Sequence, residues 1–111
     1  MYPMRRGEVW WVSFAGSSGG EVKKTRPVVI VSNDAANQYA NRIQVVPLSS
    51  KIEKLFPCEA KVTVVGKESK AMADQLMTVS KERLTERMGI LSAQELHGVE
   101  MAIRIQLGLS A

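Results

Sequence analysis

Apolar positions come along this chain in short blocks, and their spacing changes from block to block. Glu8-Val9-Trp10-Trp11-Val12-Ser13-Phe14 is dense in β-forming residues and breaks at Ala15-Gly16-Ser17-Ser18-Gly19-Gly20, a run that holds neither strand nor helix. A first strand followed by a long loop is expected. The loop continues through Glu21-Val22-Lys23-Lys24-Thr25 and gives way at Arg26-Pro27 to Val28-Val29-Ile30-Val31. Four consecutive β-branched residues have the pattern of a strand buried on both faces. The two strands are therefore expected to form a long-looped hairpin or a close neighbour pair. Ser32 to Asn41 carries cap-forming residues and alanines, which predicts a turn with a short helical turn. Arg42 to Ser49 reads as a third strand, in which Pro47 argues for an edge, a bulge or a strand end.

Beyond Ser50, Lys51-Ile52-Glu53-Lys54-Leu55-Phe56-Pro57 reads as a loop. Its Leu55 and Phe56 are expected to tuck into the core, the competing reading being that they stack on a base or a peptide. Cys58 to Val65 alternates small or apolar with polar residues, as a half-buried antiparallel strand does. Gly66-Lys67-Glu68-Ser69 reads as a turn. Ala71 to Ser80 reads as one further strand, and its polar Asp74-Gln75 pair must either close a hydrogen-bond network or face a ligand. Lys81 to Arg87 predicts a short helical connector, and Met88 to Leu91 a last short strand. Ser92 and Glu95 fit a capping box. Leu96, Val99, Ile103 and Leu107 then share one helical face, and Gly108 ends the helix. The sum is a mainly β (α+β) domain with a C-terminal helix packed on the sheet.

At 111 residues the chain is expected to be one domain, long enough to bury a core without disulfide or metal staples. Fifteen Lys and Arg against eleven Asp and Glu give a net charge of +4, which favours anionic partners such as nucleic acid. A single cysteine, Cys58, excludes a disulfide framework and a zinc knuckle. With no signal-like start and no apolar run of about 20 residues, a soluble, cytoplasmic protein away from membranes is expected.

Several chemistries are disfavoured by what the chain lacks. One histidine, His97, cannot supply a two-histidine acid–base ribonuclease. There is no G-x-S-x-G elbow, no H-E-x-x-H or D-x-D spacing, and no GxxxxGK[ST] phosphate loop. A metal-free set remains: Arg26, Ser49, Glu21 and Gln75 among lysines, able to hold a phosphodiester and stabilise a pentacovalent transition state by charge. Arg26 has the right chemistry, because its planar donor fork matches phosphate oxygens and it is anchored at the mouth of a rigid strand. Its plainer reading is a cap on a sheet edge, and Ser49 has one too, a bond to a nearby backbone group.

Four blocks then carry a resemblance across nearly the whole chain. Arg6-Gly7-Glu8-Val9-Trp10, Thr25-Arg26-Pro27-Val28-Val29-Ile30-Val31-Ser32-Asn33, Val46-Pro47-Leu48-Ser49-Ser50 and the segment Asp74 to Leu84 resemble the MazF/PemK toxins in order and spacing. Gly89-Ile90-Leu91-Ser92 before the last helix agrees. The resemblance implies a partly open SH3-like, CcdB-like β-barrel with a C-terminal α-helix, forming a homodimer. It implies an endoribonuclease that cuts single-stranded RNA at short sequences without metal or other cofactor. The 2′-hydroxyl is then the nucleophile, and the products carry 2′,3′-cyclic phosphate and 5′-hydroxyl ends. By position the catalytic arginine falls on Arg26 and the catalytic hydroxyl on Ser49, where many relatives have threonine. Glu21 is a further candidate for acid–base work. Lys23, Lys24, Thr25, Asn33, Ser50, Gln75 and Phe56 are the candidate RNA contacts. An acidic antitoxin whose tail folds across the toxin is the implied protein partner. The competing readings are a non-catalytic CcdB-like toxin that binds a DNA topoisomerase, and an SH3-like nucleic-acid-binding module without activity.

Overall fold

The computed structural model describes residues 3–14 and 25–110. Strand β1 (Glu8–Ser13) pairs antiparallel with β2 (Thr25–Ile30), Val9 opposite Val29 and Ser13 opposite Thr25, so the expected neighbour pair forms. Beyond β2 lies β3 (Arg42–Ser49), and beyond β1 lies β7 (Leu84–Ile90). A hairpin of β4 (Glu59–Val64) and β5 (Lys67–Met72) joins the end of β3 at Leu48 and Ser49. The start of β3, Arg42 to Val45, pairs instead with β6 (Met77–Ser80). The strand order is β4-β5-β3-β2-β1-β7, with β6 on the flank of β3. This is the mainly β, partly open barrel, and the C-terminal helix α2 (Ala93–Leu107) packs on β4.

The uninterrupted apolar run of β2 has a direct cause. Val28 and Ile30 enter one core with Trp10, Val12, Ile43 and Val45, whereas Val29 enters another with Val9, Val46, Leu48 and the helix residues Val99 and Ala102. A strand between two cores has no wet face, so it shows no alternation. Each such side chain contributes about 1.5–3 kcal/mol relative to exposure, and together they hold β2 rigid up to its polar start at Thr25 and Arg26.

Pro47 proves to be neither on an outer edge nor at a strand end. It faces Val28 of β2 in a central strand, at the point where β3 changes partner from β6 to β5 and neither pairs with it. Its missing N–H therefore breaks no ladder bond on that flank.

Other boundaries shift for physical reasons. The single strand expected over 71–80 is two strands separated by a 3₁₀ turn at Ala73–Gln75. Lys67 to Ser69, expected as turn, already belong to β5, because Val65 and Gly66 alone reverse the chain with φ of 50° and 75°. The connector after Ser80 shrinks to a 3₁₀ turn at Lys81–Arg83, and β7 begins at Leu84. The short helix α1 (Asp34–Tyr39) is capped by Asn33, whose side chain accepts the Ala36 N–H at 2.8 Å. The capping box of Ser92 and Glu95 forms, and Gly108 ends α2 with φ of 70°. Of the expected inner face of α2, Val99 is buried and Ile103 packs against the core beside Ala102, whereas Leu107 is 53% exposed. Leu55 and Phe56 are 48% and 49% exposed, which overturns their expected place in the core.

One buried carboxylate fastens β1 to its surroundings. Glu8 is 2% exposed. Its Oε1 accepts the Trp10 Nε1–H and the Arg5 N–H, and its Oε2 accepts the Arg87 Nε–H, each at 3.0 Å.

Candidate active site

The ends of β2 and β3 open onto a cleft of about 630 Å³. In the β2–β3 register Val28 faces Pro47 and Ile30 faces Val45. Arg26 and Ser49 each lie two residues beyond the last pair of that register, Val28 and Pro47, and so leave their strands with the same parity. Both residues line the cleft. Arg26 is exposed, and Pro27 after it restricts its backbone to extended conformations. The guanidinium is thus open to solvent at its tip and held by the strand at its root.

The local backbone bond expected of Ser49 forms. Its Oγ accepts the Lys51 N–H at 3.1 Å. That bond uses a lone pair and leaves the O–H proton to donate to a phosphate oxygen. Ser50 and Ser69 add hydroxyls to the cleft wall, and Gln75 adds an amide whose Nε2 has the soft Met72 Sδ as its partner at 3.6 Å.

Three cations, Arg26, Lys51 and Lys67, line the cleft, and no carboxylate does among the described residues. A groove lined by one sign of charge concentrates polyanions. Trp11, Met72 and Met88 supply an apolar wall on which an unpaired base could lie. Lys51, Lys67, Ser69 and Trp11 were not singled out from the sequence. Lys51 had a signal, its place just after Ser49-Ser50, whereas Lys67 and Ser69 depend on the β4–β5 hairpin bringing them back.

The remaining sequence candidates divide. Ser50 and Gln75 line the cleft with Arg26 and Ser49, whereas Thr25, Asn33 and Phe56 do not. Thr25 pairs with Ser13 at the outer end of β2, Asn33 is spent as a helix cap, and Phe56 lies in the 50–57 loop with Lys54 Nζ 5.3 Å from its ring centroid. Glu21, Lys23 and Lys24 lie outside the described residues. His97 is an exposed residue of α2, its Nδ1 3.8 Å from Glu100.

The 50–57 loop is held by charge. Lys70 of β5 donates from Nζ to Lys54 O and to Glu59 Oε1, both at 3.0 Å. Glu59 Oε1 also accepts the Phe56 N–H at 2.9 Å. Burial pushes the Glu59 carboxyl up, but the Phe56 N–H and the Lys70 ammonium outweigh it and hold the carboxyl below its ordinary range. A second cavity of about 340 Å³ lies beside α1, where Asp34 accepts the Arg6 N–H at 2.7 Å and Asn37 donates to Ser32 O. Those groups are committed to holding α1.

The chain thus forms a small, partly open barrel with a basic cleft between its strand ends. The chain belongs to the PemK-like, MazF-like toxin family of type II toxin–antitoxin systems, which it matches over residues 5–107. It is 39% identical to Endoribonuclease MazF9 of Mycobacterium tuberculosis, with 96% of this chain and 98% of that protein covered. Solved structures share the fold. A MazE–MazF structure from Deinococcus radiodurans superposes with a TM-score of 0.84 at 24% identity, covering 99% of this chain and 100% of that one. A mycobacterial endoribonuclease in complex with its cognate antitoxin gives 0.82 at 21% identity, covering 96% and 97%. These matches do not favour the CcdB-like, topoisomerase-binding reading.

Proposed function

We propose that this chain is the toxin of a type II toxin–antitoxin pair and a sequence-specific endoribonuclease that cuts single-stranded mRNA without a metal ion. The observation that supports the mechanism is that Arg26 and Ser49, from the ends of adjacent strands, line one cleft together with lysines and hydroxyls. The ribose 2′-oxygen attacks the neighbouring phosphorus and the P–O5′ bond breaks. The 2′-hydroxyl loses its proton, the departing 5′-oxygen gains one, and 2′,3′-cyclic phosphate and 5′-hydroxyl ends result. Arg26 donates its fork to the phosphorane oxygens, whose charge grows in the transition state, and the Ser49 O–H donates to the same group. Lys51 and Lys67 hold flanking phosphates, and Trp11 offers a stacking face. Glu21 is assigned a part in proton transfer, and Lys23 and Lys24 are assigned to RNA contact.

The active unit on this reading is a cytoplasmic homodimer, silenced by an acidic antitoxin whose disordered tail folds over the basic cleft. The test is direct. Purified protein in EDTA is given a mixed-sequence single-stranded RNA, alongside Arg26→Ala and Ser49→Ala. Cutting by the wild type and its loss in both variants, with dimer mass retained, supports the reading; uncut RNA across a broad sequence pool ends it.

A further inference from the structure

Lys70 is an unusual residue for a sheet interior. It is 9% exposed, and its ion-pair partner Glu59 is also largely buried, with 8% of its side chain accessible. Taking two charges out of water is costly, and apolar residues of similar size often serve stability as well. The pair spends its hydrogen bonds on the loop, gripping Lys54 O and the Phe56 N–H. The loop's other ties are the backbone bond from the Glu59 N–H to Phe56 O at 2.8 Å and the Lys51 N–H bond to Ser49 Oγ at 3.1 Å, while Leu55 and Phe56 are half exposed. Lys70 is also the cross-strand partner of Ser49. One residue thus lies opposite the candidate hydroxyl and holds the segment that follows it.

We propose that Lys70 and Glu59 are positioning residues for RNA cutting: their buried ion pair fixes the 50–56 segment, whose Ser50 and Lys51 line the cleft, and so sets which bases can lie beside Ser49. The inference rests on the endoribonuclease reading above. Neither side chain touches RNA. Their effect passes through the Lys51 N–H bond to Ser49 Oγ and through the loop tip at Lys54 and Phe56.

The test compares wild type, Lys70→Arg, Lys70→Met and Lys70→Met/Glu59→Met. The double variant leaves no stranded buried charge and carries the test if Lys70→Met does not fold. Two readouts are taken: amide hydrogen exchange across 50–56, and sequencing of the ends cut from a randomised single-stranded RNA. In the folded double variant, exchange of this segment is expected to accelerate about tenfold or more, and the preference for favoured over disfavoured cut sites to fall by about tenfold. Lys70→Arg, which keeps the charge and the donor to Lys54 O, is expected to retain the wild-type site preference. A folded double variant with wild-type exchange, or with wild-type site preference, overturns the proposal. A wild type that cuts no RNA removes this inference and the functional reading together; an active wild type with an unaltered double variant removes this inference alone.

Discussion

Replacing Glu8 by glutamine tests how firmly the strand that carries Trp11 is held. The glutamine keeps the shape of the side chain but not its charge. Its one carbonyl oxygen can serve Trp10 Nε1–H and the Arg5 N–H, which now share Oε1. Its amide nitrogen is then turned toward Arg87 Nε–H, donor against donor, at a distance that was 3.0 Å. Removing one partner of a fully buried pair costs about 3–5 kcal/mol, but the Arg87 side chain is 34% exposed and regains part of its hydration. A loss of about 2–3 kcal/mol follows for Glu8→Gln, consistent with about 1.5–3 kcal/mol for a hydrogen bond to a charged group. At about 4 °C per kcal/mol for a domain of this size, Tm should fall by about 8–12 °C. Urea and thermal melts followed by the fluorescence of Trp10 and Trp11 would measure it. A variant melting within about 2 °C of wild type would refute the reasoning and show that β1–β7 pairing holds without the carboxylate.

Two further perturbations report on the scaffold. Val65 is a β-branched residue at φ 50° and is 78% exposed, so Val65→Asn, which places Asn-Gly in the β4–β5 turn, should raise stability by about 1 kcal/mol in a urea melt; a loss would mean that the valine side chain makes a contact worth more than its strain. The Arg6 N–H, opposed by burial and helped by Asn37, holds the Asp34 carboxyl below its ordinary value of 3.8. A depressed carboxylate stabilises the fold fully above that value and loses its contribution as pH falls through the folded value. Urea midpoints between pH 7 and pH 3 should therefore drop less steeply in Asp34→Asn than in wild type, and parallel curves would count against the Arg6 contact.

Strands between two cores were legible because their residues have no wet face to encode. Arg42–Ser49 agrees to the residue with its expected bounds, and β2 was visible in the run Val28-Val29-Ile30-Val31, of which it holds the first three. Edge and hairpin segments were harder. Lys67-Glu68-Ser69 looks like a turn, yet it is the solvated start of β5, and Thr85-Glu86-Arg87 looks like a connector because β7 is an edge strand. The 3₁₀ turn at Ala73–Gln75 hid inside an apolar run because Met72 and Ala73 are buried whatever their backbone does.

Within the site, Arg26 and Ser49 stood out through the family-like blocks, and the pairing of β2 with β3 supplies the physical reason that both line one cleft. Asn33 and Phe56 lay in the same blocks or loops without reaching the cleft, since sequence proximity does not say which side of a turn a side chain leaves from. The Glu59–Lys70 pair was illegible, because it exists only once the β4–β5 hairpin is in register. Its one trace is a lysine set beside Ala71 and Met72.

The central claim, that the Arg26–Ser49 cleft breaks RNA by itself, is tested most directly by mapping cut ends. Wild type and Arg26→Ala are incubated in EDTA with a randomised single-stranded RNA, and both new ends of every fragment are sequenced and chemically typed. Cuts are expected at one recurring short sequence, with 2′,3′-cyclic phosphate upstream and 5′-hydroxyl downstream, and a loss of about a thousandfold or more in Arg26→Ala, the scale of removing a donor aimed at transition-state charge. Full cutting by Arg26→Ala, or 5′-phosphate ends from the wild type, would contradict the claim.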